Sequence, residues 1–151
     1  MRGEGNLGSM VYMKKVICYT DGGARGNPGP AAIGVYITDE AGTMQQEVAQ
    51  TIGNSTNNFA EYQAVLVGLQ TLKEMLGAAS KTTAVEIRLD SELVKKQLNA
   101  EYQINEPGLV PLFIEIHNMR VVHFPHVTLT QIPREQNKDA DRLVNEALDA
   151  K

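Results

Sequence analysis

The chain has no tryptophan, three phenylalanines and a single cysteine in 151 residues. One cysteine, Cys18, permits no internal disulfide, which excludes a bridge-stapled scaffold and makes a reducing compartment the natural one. Cys18 sits in the apolar run Val16-Ile17-Cys18-Tyr19 with no cation beside it in sequence, so it reads as a small buried side chain rather than an activated thiol. No apolar stretch approaches the roughly 20 residues that a membrane-spanning helix needs. Basic charge is not in excess either: 14 Lys and Arg stand against 18 Asp and Glu, a formal net charge of −4. That balance excludes a protein that grips nucleic acid through a broad positive surface. It leaves open a metal-dependent enzyme, whose acids are neutralised by bound cations. His117, His123 and His126 do not have the spacing of a zinc site.

What is present suffices for one domain with its own core. Met1 to Met13 is Gly-rich and polar, without the hydrophobic centre of a signal peptide, and is expected to be a disordered leader. From there the pattern reads as alternating elements. Lys15–Thr20 is a β-branched strand that stops at Asp21, followed by a Gly/Asn/Pro turn. Ala31–Thr38 and Thr43–Ile52 continue an antiparallel meander through the turn Asp39-Glu40-Ala41-Gly42. A long helix is expected from about Asn58 to Leu76, with Val65, Leu69, Leu72 and Leu76 on one face and Gly77 at its end. Thr83–Leu89 is reached through that helix and should pair parallel. A short helix (Ser91–Leu98), an irregular connection, a helix over Leu109–Met119, the strand Val127–Ile132 and a last helix from about Asn137 to Ala150 complete the chain. The expected fold class is α/β: a five-stranded mixed sheet, meander plus parallel strands, flanked by helices.

Four carboxylates stand out against this frame. Asp21 and Asp90 each follow a strand, and parallel neighbours would place both at one sheet edge, where open α/β sheets bind ligands. Glu61 and Asp141 lean toward the apolar stripes of two separate helices. A carboxylate aimed at a core is costly unless something neutralises it. Converging acids suit hard, oxygen-seeking cations such as magnesium.

The stretches Tyr-Thr-Asp-Gly-Gly-Ala-Arg-Gly-Asn-Pro-Gly-Pro (19–30), Asn-Ser-Thr-Asn-Asn-Phe-Ala-Glu-Tyr-Gln-Ala (54–64), Leu-Asp-Ser-Glu-Leu-Val (89–94) and Pro-Arg-Glu-Gln-Asn-Lys-Asp-Ala-Asp-Arg-Leu-Val-Asn (133–145) are, in order and spacing, similar to the type 1 ribonuclease H family. The resemblance covers nearly all of residues 14–151, which it implies form a ribonuclease H domain. It implies an endonuclease that hydrolyses the RNA strand of RNA–DNA hybrids, leaving 5′-phosphate and 3′-hydroxyl ends. Asp21, Glu61, Asp90 and Asp141 match the family's catalytic, metal-binding acids, which hold two Mg2+ ions, with Mn2+ as a substitute. Asn27, Asn57 and Asn58 match polar residues that face the minor groove, and Thr56 is a candidate for a phosphate of the DNA strand. The expected location is cytoplasmic, with no membrane contact and no obligate protein partner. Duplex RNA is left open as a further substrate.

Two departures accompany the match. The Leu98–Pro111 connection is short and lacks the Lys- and Trp-rich protrusion of many relatives, so this is a short form. No N-terminal hybrid-binding domain is expected. The loop before the last helix carries no histidine; Arg134 and Glu135 are the candidates there for an auxiliary role. Two other readings fit parts of the sequence. A catalytically silent nucleic-acid-binding module of the same fold is opposed by the full set of acids. A sugar-kinase or actin-like phosphotransferase would need two such domains around a nucleotide.

Overall fold

A computed structural model describes residues 15–150. The expected leader over 1–13 lies outside them. Strands β1 (Lys15–Ala24), β2 (Gly29–Asp39) and β3 (Gln45–Ser55) form the antiparallel meander. Helix α1 (Asn57–Leu76) then crosses to β4 (Ala84–Leu89), which pairs parallel with β1. Helix α2 (Glu92–Leu98) and helix α3 (Val110–His123) lead to β5 (Val127–Gln131), parallel to β4, and α4 (Lys138–Asp149) closes the chain. The sheet order is β3-β2-β1-β4-β5. The mixed five-stranded architecture expected from the sequence is the observed one.

The main core lies between the sheet and α1, where Leu69 and Leu72 are fully buried against Cys18, Val35 and their neighbours. Each fully buried leucine of this kind contributes about 2 kcal/mol. Cys18 is part of that core, and burial pushes its thiol up to about 12. Leu76 is only half-buried, at the core's edge, and α1 stops at Gly77, whose φ of 55° suits glycine. The other side of the sheet is covered by α4, through Ala32, Val144 and Ala147. No helix among the described residues is long and apolar enough to cross a membrane.

One expectation is corrected. β1 does not stop at Thr20; it runs through Asp21, Gly22 and Gly23 to Ala24, with Asp21 opposite Gly34 and Gly22 opposite Ile33. The glycines that resemble a turn are ladder residues, because a helix backbone lies against the strand there. A Cβ on Gly22 would stand 2.2 Å from the carbonyl carbon and oxygen of Ala60. Likewise β3 extends to Ser55, three residues past the expected end at Ile52.

Candidate active site

Two close approaches gather the acids. Gly22 lets the first turn of α1 sit on β1, which brings Glu61 beside Asp21. Gly34, the ladder partner of Asp21, does the same for α4: a Cβ there would stand 2.2 Å from Ala140 O and 2.9 Å from Leu143 Cβ. Neither position admits a side chain without moving a helix. Asp90 arrives from the end of β4, parallel to β1 and immediately beside it.

Asp21, Glu61 and Asp90 each present a carboxylate oxygen, and these atoms all lie within 4.8 Å of one another. Asp21 is 7% exposed and Glu61 8%. The Gly22 N–H donates to Glu61 Oε1 at 2.6 Å, which fixes that carboxylate at the strand. Burial, then the charge of Asp90 and, more weakly, that of Asp141, lift Asp21 to about 7. Burial and then the charges of Asp21 and Asp90 hold Glu61 well above the usual carboxylate range. Neighbouring carboxylates out of water cannot all ionise without a cation. Asp141 lies outside this compact group. It is half-buried on α4 and lines the same open cleft, of about 440 Å3, as the other three.

Asn137 is the site residue that sequence reading missed. It is fully buried, and its Nδ2 donates to Thr20 O at 2.9 Å and to Asp90 Oδ2 at 3.2 Å. Its own carbonyl accepts from the Asp141 N–H at 3.1 Å. One residue, through its side-chain amide and its backbone carbonyl, therefore ties the strand bearing Asp21, the end of β4 and the first turn of α4. Its Oδ1 is buried and finds no donor among the described residues. Asn137 stands at the start of an amphipathic helix, where an asparagine ordinarily caps, yet its side chain makes no capping hydrogen bond.

The four polar residues proposed for substrate gather where the β1–β2 turn meets the start of α1. Asn27 Oδ1 accepts from the Asn57 N–H at 2.9 Å, and Asn57 Oδ1 accepts from the Ala24 N–H at 2.8 Å, so the two asparagines lock the β1–β2 turn to the start of α1. Thr56 caps α1, its Oγ1 accepting from the Phe59 N–H at 3.2 Å. Asn57 and Asn58 both line the cleft. Arg25 reaches across it to Asp149 on α4, at 2.7 Å. Arg134, in the turn before α4, lines the cleft as well, whereas its neighbour Glu135 is exposed and does not.

Residues 19–147 match the family model described as reverse transcriptase-like. A ribonuclease H1 isolated from compost by a metagenomic approach is 48% identical, with a TM-score of 0.86 over 91% of this chain and 97% of its own. The same compost protein has been solved in complex with an RNA/DNA hybrid, with 47% identity and a TM-score of 0.84. The ribonuclease H1 of the archaeon Halobacterium salinarum is 38% identical in its solved structure, with a TM-score of 0.80 over 89% of this chain and 98% of that one. A bifunctional protein of Mycobacterium tuberculosis is 37% identical over 90% of this chain, which spans 36% of its length. The chain also spans 65% of the full Halobacterium protein. The family model covers most of the chain, the fold is shared with ribonucleases H1 over nearly the whole of their chains, and the chain belongs to the type 1 ribonuclease H family.

Proposed function

We propose that the chain is an endoribonuclease that hydrolyses the RNA strand of RNA–DNA hybrids in a metal-dependent reaction, leaving 5′-phosphate and 3′-hydroxyl ends. The observation that carries this reading is the compact Asp21–Glu61–Asp90 group at one edge of the sheet, open to a cleft walled by Asn57, Asn58 and Asp141. A similar protein's complex with an RNA/DNA hybrid supports the substrate class.

The donor set fits magnesium. All its oxygens are carboxylate oxygens, the hard donors that this ion and Mn2+ accept. The raised proton affinity of Asp21 and Glu61 comes from burial and crowded like charge, which a bound cation would offset. When bound, a pair of such ions supplies Lewis acidity toward the scissile phosphate and lowers the pKa of a coordinated water. Asp21, Glu61, Asp90 and Asp141 would hold the ions, with Asp21 as the central ligand, Asp141 toward the attacking water and Glu61 with Asp90 toward the leaving group. Asn137 holds Asp90 in place for that task.

Asn27, Asn57 and Asn58 are proposed to face the RNA ribose, whose 2′-hydroxyl is the group that locally separates RNA from DNA. Side-chain amides both donate and accept, as that contact requires. Thr56 would hold a phosphate of the DNA strand. Arg134, which lines the cleft, would meet the scissile phosphate by charge, and Glu135 would act through water. The buried thiol of Cys18 supports a reducing compartment such as the cytoplasm.

The test is to incubate the protein with a labelled hybrid, a duplex RNA and a duplex DNA, each with magnesium, manganese or chelator. The hybrid should be cut in both metals and spared in chelator, and duplex DNA spared throughout. Cleavage of duplex RNA would widen the substrate class. A hybrid left intact in both metals would overturn the proposal.

A further inference from the structure

The connection between α2 and α3 brings an acid to the substrate side of the molecule. Glu106, exposed at the start of the short turn Pro107–Leu109, accepts a hydrogen bond from Asn58 Nδ2 at 3.0 Å. The same residue lines, with Ser55, Thr56 and Phe59, an open pocket of about 240 Å3 beside the start of α1. Its position is fixed from beneath. Gln97, 5% exposed, accepts from the Tyr62 hydroxyl at 2.7 Å and donates from Nε2 to Gln103 O at 3.0 Å, which pins the connection just before Glu106. Leu109, 2% exposed, anchors it just after. The Glu106 carboxylate is close enough to Tyr62 to raise its phenol, after burial, to about 12.

Thr56 and Asn58 are residues that the proposed function assigns to a DNA-strand phosphate and to the ribose groove. A carboxylate bonded to Asn58 and sharing the pocket of Thr56 occupies the amide that would meet the substrate and repels the phosphate that would enter beside Thr56. We propose that Glu106 is an affinity-determining residue: an internal competitor that the DNA strand of the hybrid must displace. The inference rests on the proposed function and deepens it. It assigns a role to the connection that stands where relatives of the longer form carry positive charge. It makes hybrid affinity and its salt dependence a property of one side chain.

Two variants separate the charge from the hydrogen bond. Glu106→Gln keeps an acceptor for Asn58 and removes the charge; Glu106→Ala removes both. Hybrid binding is read by fluorescence anisotropy with calcium in place of magnesium, and KM and kcat are read with magnesium, each at low and high salt. At low salt Glu106→Gln should lower Kd and KM about fivefold, the scale of one like-charge contact near water, with kcat unaltered. Glu106→Ala should lower them at least as much, and the gain should shrink at high salt. A hybrid whose DNA strand carries neutral methylphosphonate linkages should bind parent and Glu106→Gln alike. Unchanged or raised Kd and KM in an otherwise active protein overturn the inference alone, as does an equal gain on the neutral-strand hybrid. A parent chain that neither binds nor cuts hybrid overturns the underlying function with it.

Discussion

Replacing Gly22 with alanine tests how closely α1 must approach β1 to bring Glu61 to Asp21. The added Cβ would meet Ala60 C and O at 2.2 Å and Glu61 N at 2.5 Å. These are backbone atoms of a helix packed on the main core, so no side-chain rotation relieves the contact. Ordinary contact begins near 3.4 Å, and the first turn of α1 must therefore recede by about 1 Å, at a cost of about 1–3 kcal/mol typical of overpacking. The 2.6 Å bond from the Gly22 N–H to Glu61 then opens, and the carboxylate leaves the group. Misplacing a reacting constellation by about 1 Å lowers rate on the order of a hundredfold. Gly23→Ala is the control, because its Cβ would meet only Val144 Cγ1 at 3.8 Å. Urea denaturation gives the stability change, and single-turnover hybrid cleavage gives the rate. Gly22→Ala should remain folded but cleave about a hundredfold more slowly, and Gly23→Ala should match the parent in both. A Gly22→Ala protein at parental rate, or a Gly23→Ala protein equally damaged, would refute the packing argument.

Three further outcomes follow from the site. Without metal, Asp21 binds its proton more tightly folded, at about 7, than unfolded near 3.8. Its contribution to stability is therefore complete below the lower value and is lost as pH rises through the upper one. In chelator the melting temperature should fall between about pH 5 and pH 8, and magnesium should remove the fall; a metal-free rise over that window would contradict the sign. Asn137→Ala leaves Thr20 O and Asp90 without their shared donor, for an expected loss of about 1–3 kcal/mol and about 10–100-fold in metal affinity by calorimetry. Asn137→Asp should be worse, since it turns an oxygen toward two oxygens, and parental metal affinity in both variants would remove the residue from the site. Arg134→Ala should lower kcat more than Glu135→Ala, because only Arg134 lines the cleft; equal turnover in both variants and the parent would leave the loop without a catalytic role.

The sheet and its acids were legible because their signals are local. β-branched runs marked the strands, spacing of three and four marked α1 and α4, and a carboxylate on the inward face of a helix is rare enough to be informative. Glu61 buried at 8% is that signal made visible. What stayed hidden depends on contacts distant in sequence. Gly22 and Gly23 look like turn residues until α1 is known to lie against them, and Gly34 looks like any strand glycine until it is paired with Asp21 and packed on Ala140. Asn137 makes its decisive bond 117 residues away, to Thr20. Glu106, in an irregular connection with no periodicity, meets Asn58 only through the path of the chain around Gln97.

The central claim is that Asp21 anchors the metal-dependent cleavage of a hybrid, and Asp21→Asn tests it most directly. The substitution keeps the shape and removes one of three clustered, mutually repelling carboxylates, so the metal-free protein should be at least as stable as the parent. Single-turnover cleavage of a labelled RNA–DNA hybrid in saturating magnesium is the measurement, with the melting temperature recorded on the same sample. A loss of about a thousandfold or more in a fully folded protein is expected. Cleavage within about tenfold of the parent would contradict it.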